Sequence, residues 1–130
     1  MKLLVLGCGN IGAVAAKDFA KSMNSIEVFV GDKDVERAKE VVKAIDADNV
    51  SGIQLDASNY DKLAKTLRDF DLVMGFLPGS LGFHLLKACV DVGRDLVDVS
   101  YMAENPLTLN DEAARKNVTM VPNCGLAPGI

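Results

Sequence analysis

The sequence predicts an α/β fold in which a doubly wound parallel sheet carries helices on both faces. Three observations point there. Short apolar runs alternate with amphipathic segments along the chain, the first run leads straight into a glycine-rich hexamer, and an acidic residue closes the second run. Parallel strands need a crossover connection and a helix is the usual one, so this alternation reads as successive βαβ units. The 130 residues suit one domain and leave no room for two. Hydrophobic residues make up 49% and charged residues 25%, the balance of an ordinary globular protein. A net charge of −4 argues against nucleic acid as a partner, since that needs a basic face.

Leu3–Leu6 is a wholly apolar run between a lysine and a glycine, as expected of a strand buried on both faces. Ile11–Met23 has helical spacing, with Ile11, Val14, Ala15 and Phe19 as the apolar stripe and Lys17, Asp18 and Lys21 opposite. Ile26–Val30 is β-branched and aromatic, a second strand. Val35, Ala38, Val41, Val42 and Ile45 lie on one side of a second helix, and Val50–Leu55 is a weaker strand. Tyr60, Leu63, Ala64, Leu67 and Phe70 mark a third helix, capped by Ser58 or Asn59.

The second half repeats the scheme. It has a strand at Leu72-Val73-Met74, a helix over Leu81–Val92, a strand over Asp95–Val99, a helix over Leu107–Arg115 and a last strand over Val118–Val121. Right-handed crossovers with a chain reversal after the third strand give six strands in the order 3-2-1-4-5-6.

Gly7-Cys8-Gly9-Asn10-Ile11-Gly12 fits the pattern GxGxxG, and it leaves a strand and opens a helix, as the mechanism of that pattern requires. Gly7 permits the tight turn, Gly9 lets the backbone approach a pyrophosphate, and Gly12 allows close helix–strand packing; Cys8 holds a variable place where a small residue suffices. The amides of Asn10, Ile11 and Gly12 and the positive end of the helix dipole then face the phosphates. Asp32 comes twenty residues after Gly12. A carboxylate there accepts ribose hydroxyls and repels a 2′-phosphate, so a Rossmann domain preferring NAD over NADP is expected, with Lys33 and Arg37 nearby to soften the preference.

Asp56, at the end of the third strand, is placed either to meet the adenine or merely to cap the next helix. Phe76-Leu77-Pro78-Gly79 follows the fourth strand and borders the crevice where strand order reverses, so Leu77 and Pro78 are expected on the nicotinamide side. Ser100 follows the fifth strand on the same edge and is a candidate hydrogen-bond partner of the cofactor. His84, the only histidine, falls inside a helix and reads as a packing residue rather than a general acid. The three cysteines, Cys8, Cys89 and Cys124, form no CxxC pair, so no metal site is expected; all three read as reduced thiols, with Cys89 on a buried helix face.

Met1-Lys2 followed by Leu3–Cys8 faintly resembles a lipoprotein leader, but the apolar run falls short of the roughly 7–15 residues such a leader needs. No stretch approaches the roughly 18 apolar residues of a membrane span. A cytoplasmic, uncleaved chain without membrane partners is expected.

Several of these segments together resemble the saccharopine dehydrogenase family, and within it the lysine 6-dehydrogenase-like branch. They are Gly7–Gly12, Leu55-Asp56-Ala57-Ser58-Asn59, Leu77-Pro78-Gly79-Ser80-Leu81-Gly82-Phe83, Val97-Asp98-Val99-Ser100-Tyr101 and Gly125-Leu126-Ala127-Pro128-Gly129. The resemblance covers the whole chain. It implies the dinucleotide-binding domain of an NAD(P)-dependent oxidoreductase that moves a hydride from the amine-bearing carbon of an amino acid, cleaving a C–N bond by way of an imine. It also implies Gly9–Gly12 at the pyrophosphate, Asp32 at the adenosine ribose, Asp56 near adenine, and Leu77, Pro78 and Ser100 around the nicotinamide. In the family the Gly125–Gly129 segment leads into a second domain that holds the substrate and the acid–base residues and helps form a homodimer. This chain is therefore expected to bind cofactor without turnover, its catalytic residues lying elsewhere. The alternative of another class is a stand-alone NAD(H)-sensing regulatory domain, which needs the glycine loop and the acid but not the Asp-Val-Ser-Tyr segment.

Overall fold

The computed structural model describes residues 1–124. The Gly125–Gly129 segment singled out above lies outside them. The elements run β1 Lys2–Leu6, α1 Asn10–Ser22, β2 Glu27–Asp32, α2 Val35–Ile45, β3 Val50–Gln54, α3 Tyr60–Leu67, β4 Leu72–Gly75, α4 Gly79–Val92, β5 Asp95–Asp98, α5 Asn110–Arg115 and β6 Met120–Val121, with a 3-10 turn over Pro106–Leu109. The six strands form one sheet in the order β3-β2-β1-β4-β5-β6, every pair parallel. This is the doubly wound arrangement expected from the sequence.

β1 shows why its sequence is a continuous apolar run. Leu4 and Leu6 enter one core with Leu63, Leu67, Val73, Leu85, Leu86 and Leu96, while Leu3 and Val5 enter the other with Ala16, Ala20, Val28 and Val30. A strand packed on both faces has no solvent side for polar residues to alternate onto.

The third helix ends at Leu67, short of Phe70, and the last strand is confined to Met120–Val121; two further differences from the sequence reading have a clear physical reason. The buried face of α1 is Gly12, Ala16 and Ala20, whereas Ile11 and Val14 are exposed. The small residues win that face because α1 must lie close to the sheet: a Cβ on Gly12 would fall on the carbonyl oxygen of Gly7. The segment expected as one helix over Leu107–Arg115 divides into the 3-10 turn and α5. There Asn105 Oδ1 accepts from Leu107 N at 3.0 Å, and Pro106 opens the tighter turn.

Asn49, just before β3, ties one edge of the sheet together. Its Nδ2 donates to Ala20 O at 3.0 Å, Ile26 O at 3.1 Å and Met23 O at 3.2 Å, binding the end of α1 to the entry of β2.

Candidate functional site

The order reverses between β1 and β4, and a cavity of about 430 Å³ opens at the carboxyl ends of these strands. Its walls include Gly7 and Gly9 from the turn after β1, Asp32, Lys33 and Arg37 from the end of β2 and the start of α2, Asp56 after β3, and Phe76, Leu77 and Pro78 after β4. Ligands of open α/β sheets bind at such a point.

Gly7 has φ +97°, a conformation L side chains rarely adopt, and a Cβ there would come within 2.6 Å of Phe76 O. The β1 turn and the β4 loop are thus in backbone contact at the base of the cavity. A Cβ on Gly9, by contrast, would meet none of the described residues within 4 Å. Ala13 N to Gly9 O, at 2.9 Å, is the first bond of α1, and among the described residues no side chain caps that helix. The amides of Asn10, Ile11 and Gly12 are left for a ligand. The starts of α2 and α3 are closed instead: Asp34 accepts from Glu36 N and Arg37 N, and Asn59 accepts from Lys62 N.

Asp32 is turned toward the protein. Its Oδ2 accepts from Cys8 N at 3.1 Å and Cys8 Sγ at 3.3 Å, and its Oδ1 accepts from Asp34 N at 2.9 Å. Burial pushes its pKa up, but these bonds and the nearby Arg37 guanidinium outweigh that and hold it below the usual carboxylate value. Asp56 Oδ1 accepts from Ser58 N at 2.9 Å and Ser58 Oγ at 2.6 Å, an Asx turn ahead of the Asn59 cap. Asp56 is therefore not the cap of α3, which is Asn59, but holds the turn ahead of it and borders the cavity.

Of the residues proposed from sequence, Gly7, Gly9, Asp32, Asp56, Leu77 and Pro78 meet on the cavity wall. Asn10, Ile11 and Gly12 form the first turn of α1 behind it. Ser100 is placed differently. It is buried and its hydroxyl donates to Asp98 Oδ2, so it supports the β5 edge and does not line the cavity. Leu55, Ala57 and Leu81, named above within the segments of the resemblance but not as site residues, also line the cavity. The rule that ligands gather at strand ends points to the first two.

The other titratable groups have structural settings. His84 packs edge-on against Tyr60 with ring centroids 5.0 Å apart, and Tyr60 donates to Asp91. Cys89 is fully buried, which raises its pKa. Among the described residues no helix is long and apolar enough to cross a membrane.

A glycine turn, an uncapped helix start and a polar wall after β2, gathered at the switch point of a doubly wound sheet, define a dinucleotide-binding Rossmann domain. Comparison with known proteins makes this particular. Residues 3–121 match the family model described as the saccharopine dehydrogenase NADP binding domain, and the chain belongs to that family. It is 28% identical to an alpha-aminoadipic semialdehyde synthase of Arabidopsis thaliana, over 98% of this chain and 14% of that protein. The mitochondrial enzyme of the same name from Rattus norvegicus is 27% identical over 99% of this chain and 14% of its own length. Saccharopine dehydrogenase [NADP(+), L-glutamate-forming] of Saccharomyces cerevisiae is 27% identical over 98% of this chain and 28% of that protein. The apo structure of the L-Glu-forming saccharopine dehydrogenase from the same yeast superposes with a TM-score of 0.84 at 26% identity, covering 99% of this chain and 28% of that one. The chain thus spans between 14% and 28% of the length of these relatives. The expectation of a cytoplasmic protein draws no support from the relative named as mitochondrial.

The cofactor expectation is corrected from NAD to NADP. The matched domain is an NADP-binding one, and the yeast relative is NADP(+)-dependent by name. The presence of Asp32 misleads because its carboxylate is engaged by Cys8 and Asp34, while Lys33 and Arg37 bring positive charge to the same wall.

Proposed function

We propose that this chain is the cofactor-binding part of an NADP-dependent oxidoreductase that transfers a hydride between the nicotinamide and the carbon of an amino-acid C–N bond. Membership of the saccharopine dehydrogenase family, combined with the cavity built by Gly7, Gly9, Lys33 and Arg37, carries this reading. The relatives' names favour an amine of the saccharopine type, and oxidation of lysine's side-chain amine is the neighbouring chemistry. In this reading the loop amides of Asn10, Ile11 and Gly12 hold the pyrophosphate, Lys33 and Arg37 face the 2′-phosphate, Asp56 borders the adenine, and Leu77 and Pro78 border the nicotinamide ribose. NADP supplies the hydride acceptor, and the chain's own groups bind and orient it.

The substrate-holding and proton-transferring groups belong to a second domain in this proposal, because a substrate carbon must be held over the nicotinamide from outside the nucleotide fold. Tyr101, exposed beyond β5, and the exposed thiol Cys124 are given no proton-transfer role in this reading. A nucleotide sensor would share the fold, and it is the family membership that favours the oxidoreductase.

Fluorescence titration or calorimetry of the chain with NADPH tests the proposal. Saturable binding is expected, without turnover of lysine or saccharopine by the chain alone. Absence of binding up to millimolar NADPH removes the dinucleotide reading, and measurable turnover removes the second-domain argument.

A further inference from the structure

The glycine loop places a thiol where the backbone pattern asks only for a small residue. Cys8 is 3% exposed, and both its N–H and its Sγ–H are directed at Oδ2 of Asp32. With Asp34 N on Oδ1, three donors from the chain already occupy this carboxylate. An ionised carboxylate offers about four acceptor positions, so little is left for a ribose diol. Lys33 and Arg37 stand on the same cavity wall.

We propose that Cys8 is a positioning residue for cofactor choice: its thiol holds the Asp32 carboxylate against the glycine loop, so that the wall between Lys33 and Arg37 receives a 2′-phosphorylated adenosine rather than a free ribose diol. This rests on the NADP reading above and explains how a chain with an acid at the end of β2 takes the phosphorylated cofactor. The thiol keeps its proton for the task. Burial, and then the bond to Asp32 and its charge, push the Cys8 pKa up to about 12, so Sγ–H is a donor at neutral pH. Without it, Oδ2 regains a free lone pair, and its charge is less neutralised toward the ribose.

The test measures the dissociation constants of NADPH and NADH for the wild-type chain, Cys8→Ala, Cys8→Val, Cys8→Ser and Asp32→Asn, with thermal melts to confirm folding. Alanine and valine both remove the donor, and valine keeps the volume filled if alanine weakens the fold. Loss of one weak donor to a charged acceptor is expected to shift the NADPH-over-NADH ratio toward NADH by roughly fivefold. Serine keeps a donor on the same carbon and recovers most of the ratio. In the Asp32→Asn background, Cys8→Ala changes the ratio no further, because the two residues act as one unit. An unchanged ratio in both Cys8→Ala and Cys8→Val overturns the proposal, as does an equal fall in Cys8→Ser. A wild-type chain that binds neither nucleotide rejects the dinucleotide reading itself, a separate outcome.

Discussion

Replacing Asp98 by asparagine stabilises the protein at neutral pH and hardly changes it in mild acid. Asp98 ends β5 with no exposed surface; Oδ2 accepts from Ser100, and Oδ1 has no partner among the described residues. Neighbouring elements close tightly over the pair, since a Cβ on Gly75 would fall on Asp98 Oδ1 and one on Gly82 on Ser100 Oγ. Burial outweighs the Ser100 hydrogen bonds and raises the Asp98 pKa from 3.8 to about 6. The folded state therefore binds a proton that the unfolded chain releases, and stability grows as pH falls from about 6 toward about 4. At about 1.4 kcal/mol per pKa unit, the ionised carboxylate costs the fold about 3 kcal/mol above that window. A carboxamide keeps the shape and an acceptor for Ser100 without the charge.

Urea unfolding of both proteins at about pH 4 and about pH 7.5 gives the variant-minus-wild-type difference at each pH. That difference cancels Asp32, Asp56 and Asp91, whose lowered pKa values pull stability the opposite way in acid. Most of the 3 kcal/mol should appear between the two pH values. A variant no more stable than wild type at the higher pH, or one gaining equally at both, refutes the reasoning.

Three further outcomes follow from the geometry. Gly12→Ala drives a methyl into the Gly7 carbonyl, so α1 must lift from β1; a loss of about 2–4 kcal/mol in urea melts and a collapse of NADPH affinity are expected. Asn49→Ala removes a side chain that donates to three carbonyls, at a cost of about 1–3 kcal/mol by the same measurement, and Asn49→Asp, which sets a carboxylate against those oxygens, costs more. Arg37→Ala weakens NADPH by roughly tenfold while changing NADH little, and calorimetry at rising salt should show the gap narrowing.

Much of this was legible because burial and periodicity travel together. β1 is apolar at every core position, and α2 carries Ala38 and Ile45 on the face its spacing indicates. The glycine loop was readable as well, since its context of strand before and helix after is local. What escaped the sequence depends on long-range contact. α1 buries Gly12, Ala16 and Ala20 rather than its larger residues, because a close approach to Gly7 decides the face. Ser100 turns to Asp98 because α4 closes over it at Gly82. The character of Asp32 is set by Cys8, 24 residues away in sequence, and no spacing rule encodes that pairing.

The rim of the cavity has a consequence for how a nucleotide arrives. The whole chain is negative, at −4, but at physiological salt that total acts only weakly on a phosphate-bearing ligand still far from the surface. Close in, it meets Lys33 and Arg37, then an adjoining groove where Lys62 and Lys65 stand with Asp56 and Asp69. Charges beyond about 8 Å are screened at physiological salt, so the final approach is governed by these cations and not by the total. The cations that an anionic ligand meets on entering the cavity are thus gathered on the wall formed by the end of β2 and the start of α2.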